Sequence, residues 1–276
     1  MVDIFGANRR QGKRGSQGPA GPAGEGLSSF FFGKQLTRWF YENLSFSCFF
    51  KDSKSGLVIE KDEIIAIKNQ VGDNHAVAIN KFERLVEIPD YGFGLEMKKS
   101  LYRINNFDWA LALNSKAILF FAFKIYTAKP KRVQCIFHNG NDRAIFLKGS
   151  NLVIQASADP HHRYLIPYKE KSWNTCFIEF NNSESLKSRY MINDLQGDFI
   201  TEPSKHIDRV VYIGGKDNYY FTGVLARCDF YSNFTEEEGV MDNLPESVKT
   251  SVIKELYLLP LPDTDNVKRR KMDETE

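Results

Sequence analysis

The stretch VQCIFHNGNDRAIFLKGSNLVIQASA, residues 133–158, sets three short apolar runs between turn-forming residues. Asn139-Gly140 opens the first break, and Gly149-Ser150-Asn151 makes the second. Asn and Gly tolerate the positive φ angles that a tight hairpin demands, and runs this short are below the length of a buried helix. The stretch therefore predicts three antiparallel strands joined by hairpins.

The same punctuation continues on both sides. Upstream lie FSCFFKD, GLVIEKD, EIIAIKN and AILFFAFKIY; downstream come RYLIPY, TCFIEFNN, SRYMIND, VVYIGG and FTGVLARCDFYS. About a dozen short strands over 45–235, with almost no helical periodicity between them, predict an all-β, antiparallel jelly-roll sandwich. A parallel α/β fold would need crossover helices, and the sequence offers none. Composition agrees: 22 Phe, 12 Tyr and 3 Trp suit half-buried pleated surfaces. With 276 residues, 42% of them hydrophobic, the chain can bury a sizeable core.

The flanks read differently. Residues 1–27 are poor in apolar side chains and rich in Gly, Pro and basic residues, so they are expected to be a flexible tail outside the core. Within it, GKRGSQGPAGPAGEG (12–26) places glycine at every third position from 12 to 24, the spacing of a collagen triple helix. Two readings stand side by side: a collagen-like stalk that would gather a homotrimer, and a plain flexible leader. A short helix is expected over 28–44, where KQLTRWFYENL puts Leu36, Phe40 and Leu44 on one stripe. Residues 236–276 are expected to form a helix over PESVKTSVIKELYLL and then a charged tail. The run Lys268-Arg269-Arg270-Lys271 in that tail reads as a solvated end in preference to an import signal.

A net charge of +2 gives no global field that would call for nucleic acid, and no stretch approaches the ~20 apolar residues of a membrane span. Without an apolar leader at the start, the cytosol is the default compartment, with an extracellular setting tied to the collagen-like reading. Cys48, Cys135, Cys176 and Cys228 are widely spaced with no metal-ligand pattern; buried thiols are preferred over bridges. Three sequons, at Asn43, Asn181 and Asn233, are about as many as chance supplies.

Two segments carry a family likeness. KSWNTCFIEFNN followed by SRYMINDLQGDFIT sets a Trp at the start of a core strand and a turn between two more. VVYIGGKDNYYFTGVLARCDFYSNFTEEE has an Ile-Gly-Gly strand end, an aromatic-x-Gly turn at Phe221–Gly223 and a last strand closing on an aromatic. With YGFGLEMKKSLYRINNFDWALALNSKAILFFAFKIY upstream, this order resembles the concanavalin A-like lectin/laminin G superfamily over about 60–235. The resemblance implies a rigid sandwich whose edge loops recognise glycans or protein surfaces. Val224 stands where laminin G domains often carry a cysteine, which puts their terminal disulfide in doubt here. The three-carboxylate strand of the glucanase branch is also missing. Glu60-Lys61-Asp62-Glu63 is too tight for it, and glycoside hydrolysis needs two carboxylates at a set separation.

Site candidates are sparse. Asp217-Asn218-Tyr219-Tyr220 lies between the last two long strands; Asp and Asn oxygens suit Ca²⁺, and tyrosine suits stacking on a sugar. Asp142 is the expected neighbour. An ordinary Asx turn with core tyrosines explains the same residues, and is the simpler reading. His161-His162 is read as solvated loop, since neighbouring extended residues point apart. The expectation is thus a non-enzymatic binding or structural protein, with no cofactor beyond Ca²⁺. Its partner would be a glycan or protein surface. A divergent glycan-acting enzyme on the same fold, or an intracellular scaffold, is the alternative.

Overall fold

The computed structural model describes residues 44–49, 56–61, 63–80, 84–88, 92–107, 115–126, 130–140, 142–181, 187–202 and 209–235. Among these, two large sheets account for nearly all regular structure, and the one helical element is a 3₁₀ turn at Pro160–His162. The expected tail 1–27, nearly all of the helix 28–44 and the C-terminal segment 236–276 fall outside the described residues. Leu44, placed at the end of that helix, instead opens a strand, Leu44–Phe49.

The first sheet runs Leu195–Phe199, Ser188–Ile192, Trp173–Asn181, Ser115–Lys124, Gly223–Thr235, Gly92–Met97, Leu85–Ile88, with Leu44–Phe49 also paired to Gly223–Thr235. Its backbone is the unbroken antiparallel register from Trp173↔Lys124 to Asn181↔Lys116. Ser115–Lys124 explains its own composition. Ala117, Leu119, Phe121 and Phe123 enter the core, while Ile118, Phe120 and Ala122 on the other face are also buried. A strand buried on both faces reads as a continuous apolar run, which is what AILFFAF is.

The second sheet runs Arg163–Pro167, Asn151–Gln155, Ala144–Lys148, Gln134–His138, Val210–Ile213, Tyr102–Asn105, Ala76–Ala78, Glu63–Ile67, Leu57–Glu60. The three strands predicted from 133–158 are adjacent and hairpin-linked, with Gly140 at φ +93° and Gly149 at φ +60° in their turns. Glu60 and Glu63 face each other across a tight hairpin with Lys61 at φ +49°. The architecture is an antiparallel β-sandwich. Among the described residues, one parallel bridge, Tyr220↔Cys135, is the exception.

Aromatic rings join the layers. Phe121 of the first sheet meets Phe137 of the second edge-on at 4.9 Å, and Phe137 meets Phe230 at 5.6 Å. Phe46 and Phe107 complete the group around Phe230. Each such pair adds about 0.5–1.5 kcal/mol to plain area burial. All four cysteines are free and buried, so the buried-thiol reading holds; Cys48 faces Cys228 across its strand pair.

Candidate functional site

The site grows from an irregularity in Gln134–His138. In its pairing with Ala144–Lys148, Phe137 opposes Ile145 but Cys135 opposes Phe146, so Ile136 is the extra residue of a β-bulge. Ile136 and Phe137 both enter the core, and Cys135 turns to the outer face. From there an apolar row crosses the sheet in register: Cys135, Phe146, Val153, Leu165. Leu165 is 58% exposed.

A small hairpin walls this row. After Ile213 the chain turns at Gly214, whose φ is +95°. Gly215–Lys216 then pairs with Tyr219–Tyr220, Asp217 at φ +52° making the tight turn. The hairpin is tied to the bulged strand at both ends, by Gly214 N–H donating to the Ile136 carbonyl (2.7 Å) and Thr222 N–H donating to Gln134 Oε1 (2.9 Å). Lys216 Nζ donates to the Gly140 carbonyl at 2.8 Å, binding the hairpin to the neighbouring turn.

Between row and wall lies a groove of about 480 Å³. Phe146, Val153 and Leu165 form its floor; Lys216, Asp217 and Tyr219 line one side, and Lys148, Gln155 and Arg163 flank the floor. Tyr219 is 48% exposed. Among the described residues, neither the Lys148 nor the Arg163 side chain has an ion-pair or hydrogen-bond partner.

The residues singled out from sequence are thus divided. Asp217 and Tyr219 line the groove together. Asn218 is exposed at the turn and outside the lining. Tyr220 turns away: its ring covers Gly215 and its hydroxyl accepts from Asn80 Nδ2 at 3.0 Å. Asp142 is only 3% exposed and stays out of the groove, beside the buried Arg143. That guanidinium donates to the carbonyls of Ala156 and Glu202 and sits 5.7 Å over the Phe180 ring. Burial lowers its pKa to about 10, so it stays charged at neutral pH. His161 and His162 diverge as expected. His161 N–H donates to Asp159 Oδ1 in the cap of the 3₁₀ turn, while the His162 ring meets Ser157 Oγ at 2.9 Å.

Phe146, Lys148, Val153, Arg163 and Leu165 escaped sequence reading. Their signal was present, since AIFLK and RYLIP both place an apolar and a basic residue on the outward phase of the alternation.

The polar side of the groove is made by Lys148, Gln155, Arg163, Lys216, Asp217 and Tyr219. Asp217 is its one carboxylate among the described residues, and no three His, Cys, Asp or Glu side chains cluster there as a metal set. Burial raises the Cys135 thiol well above its ordinary range against the pull of Lys216, so it is no nucleophile at neutral pH. His138, stacked on Tyr212 at 4.5 Å, is pushed down to about 4, first by burial and then by Lys216. Its Nδ1 accepts from Gly140 N–H, so the ring serves the turn and not a proton transfer.

No known sequence family matches the chain, nor does any curated protein. No helix among the described residues is long and apolar enough to cross a membrane. Solved structures with partial likeness include the binding domain of botulinum neurotoxin DC in complex with SialylT, at 14% identity and TM-score 0.46, covering 71% of this chain and 49% of that one. The same domain in complex with rat synaptotagmin II matches at 12% identity and TM-score 0.48, covering 71% and 50%. The botulinum neurotoxin serotype D binding domain matches at 12% and 0.45, also covering 71% and 50%. The match spans about half the length of these neighbours, and the likeness at this level concerns part of the β architecture alone.

Proposed function

We propose that this protein is a non-enzymatic glycan-binding protein built on a concanavalin A/laminin G-like sandwich, and that the Phe146–Val153–Leu165 groove is its binding site. One observation carries the reading: an exposed tyrosine and an apolar row, held rigid by sheet register, share a 480 Å³ groove with polar and charged side chains. Sugars present apolar ring faces and hydroxyl rims, which this combination fits. Catalysis is a poorer fit, because hydrolysis of a glycosidic bond calls for two carboxylates and, among the described residues, the groove has Asp217 alone. The Gly-X-Y tract at 12–26 is proposed to gather three chains, so that weak single sites act together with an avidity ~10²–10⁴ above one site.

A glycan array probed with the full chain and with Tyr219→Ala tests the site. Retention of a defined glycan set by the native chain, lost in the variant, is expected. No glycan retained, or equal retention by both, rules the reading out. Light scattering of the full chain and of a chain lacking 1–26 tests the assembly: a trimer that falls to monomer is expected, and a monomer in both cases removes the multivalent part.

A further inference from the structure

We infer that the groove selects acidic oligosaccharides, sugars carrying a carboxylate or sulfate, over neutral ones; this rests on the glycan-binding reading above. Among the described residues, the lining holds three cations, Lys148, Arg163 and Lys216, against one carboxylate, Asp217. Lys216 spends a hydrogen bond on the Gly140 carbonyl. Lys148 and Arg163 have no partner among the described residues, although an unengaged cation beside an apolar floor is open to an anion brought by a ligand.

Register fixes where these charges stand. Arg163 lies in line with Gln155 and Ala144, and Lys148 lies in line with Asn151 and Pro167. The two lines run on either side of the Phe146–Val153–Leu165 row, four residues apart along the strand, or ~13 Å at 3.3–3.4 Å per residue. That span exceeds a single sugar and suits an oligosaccharide whose charges fall on more than one unit. Arg163 offers a planar fork that meets a carboxylate or sulfate at two points, and Lys148 offers a point charge on a long stem. A single-stranded nucleic acid is also anionic, but it takes a series of stacking aromatics along a basic track. Tyr219 is the one well-exposed aromatic in this lining.

The test is calorimetric titration of the full chain with four probes: a tetragalacturonate, a heparin-derived tetrasaccharide, cellotetraose and a ten-residue oligothymidylate. An acidic tetrasaccharide is expected to bind about tenfold or more tighter than cellotetraose, with affinity that falls as salt rises. The better of the two acidic probes identifies the anionic group. Arg163→Gln and Lys148→Gln are each expected to weaken the acidic probe about tenfold and cellotetraose by no more than about twofold. Tyr219→Ala is expected to weaken both. Equal affinity for acidic and neutral probes, or indifference to Arg163→Gln, overturns the charge selection while glycan binding stands. Binding of the oligothymidylate alone, or of no probe together with an unreactive glycan array, overturns both.

Discussion

Among the described residues, a depression of about 480 Å³ lies on the outer face of the first sheet and another of that size on the second, and their charges are arranged in opposite ways. On the first sheet, the depression is lined by Phe177, Arg189, Met191, Gln196 and Asp198 among others. There Arg189 Nε is 2.8 Å from Glu179 Oε2, its guanidinium lies 5.8 Å from the Phe177 ring centre, and Asp198 has Lys187 at 4.0 Å. Its charges are answered from within the fold. On the second sheet, Lys148 and Arg163 have no such answer among the described residues. Volume therefore fails to tell a site from a dimple. What separates them is charge pairing: Arg189 and Asp198 have partners of opposite sign, and Lys148 and Arg163 have none among the described residues, which is the contrast the proposed site rests on.

The comparison breaks first if the wall of the groove is not a fixed part of the fold. A Cβ on Gly214 would stand 2.1 Å from Met97 Cε and 2.5 Å from the Ser100 carbonyl oxygen, at a φ of +95°. Gly214→Ala is expected to cost about 4 kcal/mol or to prevent folding, combining left-handed backbone strain with a backbone clash. Thermal denaturation measures it; a change below about 1 kcal/mol would mean the 215–220 hairpin can shift, and the groove with it.

Next in size is the closed pair. Glu179→Ala leaves the largely buried Arg189 without its carboxylate and is expected to cost about 3 kcal/mol, the low end for breaking a buried pair. In a domain of this size that is a fall of roughly 6–12 °C in Tm. A neutral result would place Arg189 among the open cations and erase the contrast between the two faces.

His138 sharpens the contrast through pH. Its folded pKa, about 4, lies below the ordinary 6.5. The neutral ring therefore contributes stability that is complete above pH 6.5 and is lost as pH falls towards 4. The contribution is about 3 kcal/mol, at 1.36 kcal/mol for each pH unit between about 4 and 6.5. Denaturant titrations across that window should show the loss, and His138→Gln should flatten it. An unchanged slope in the variant would mean the turn beneath Lys216 does not depend on a neutral ring.

Most of the fold was legible because its strands are longer than their turns and the turns announce themselves. Asn139-Gly140 and Gly149-Ser150 place their hairpins, and Trp173 begins the strand it was expected to begin. Ala76–Ala78 and Leu85–Ile88 were not legible, since runs of three or four residues become strand only through their partners: Tyr102–Asn105, more than twenty residues on, for the first, and Gly92–Met97 for the second. The site was half legible. Asp217 and Tyr219 stood out by type, and Phe146 followed the alternation of its strand, but the bulge at Ile136 that turns Cys135 outward leaves no mark in sequence. Asp142 misled because a turn residue was taken for an exposed one, and the buried Arg143 beside it draws the turn inward.

The smallest expected effect is the most discriminating. Arg163→Gln removes a cation that is exposed and has no partner among the described residues, so stability should move by less than about 0.5 kcal/mol. A residue kept for structure shows its loss in Tm, as Glu179 should. One kept for a ligand shows it in affinity alone. If Arg163→Gln lowers Tm by several degrees, the guanidinium is engaged in holding the sheet, and the open face is closed after all. If Tm holds while the acidic probe is lost, the two faces differ in kind, because one spends its charge on folding and the other holds it for binding.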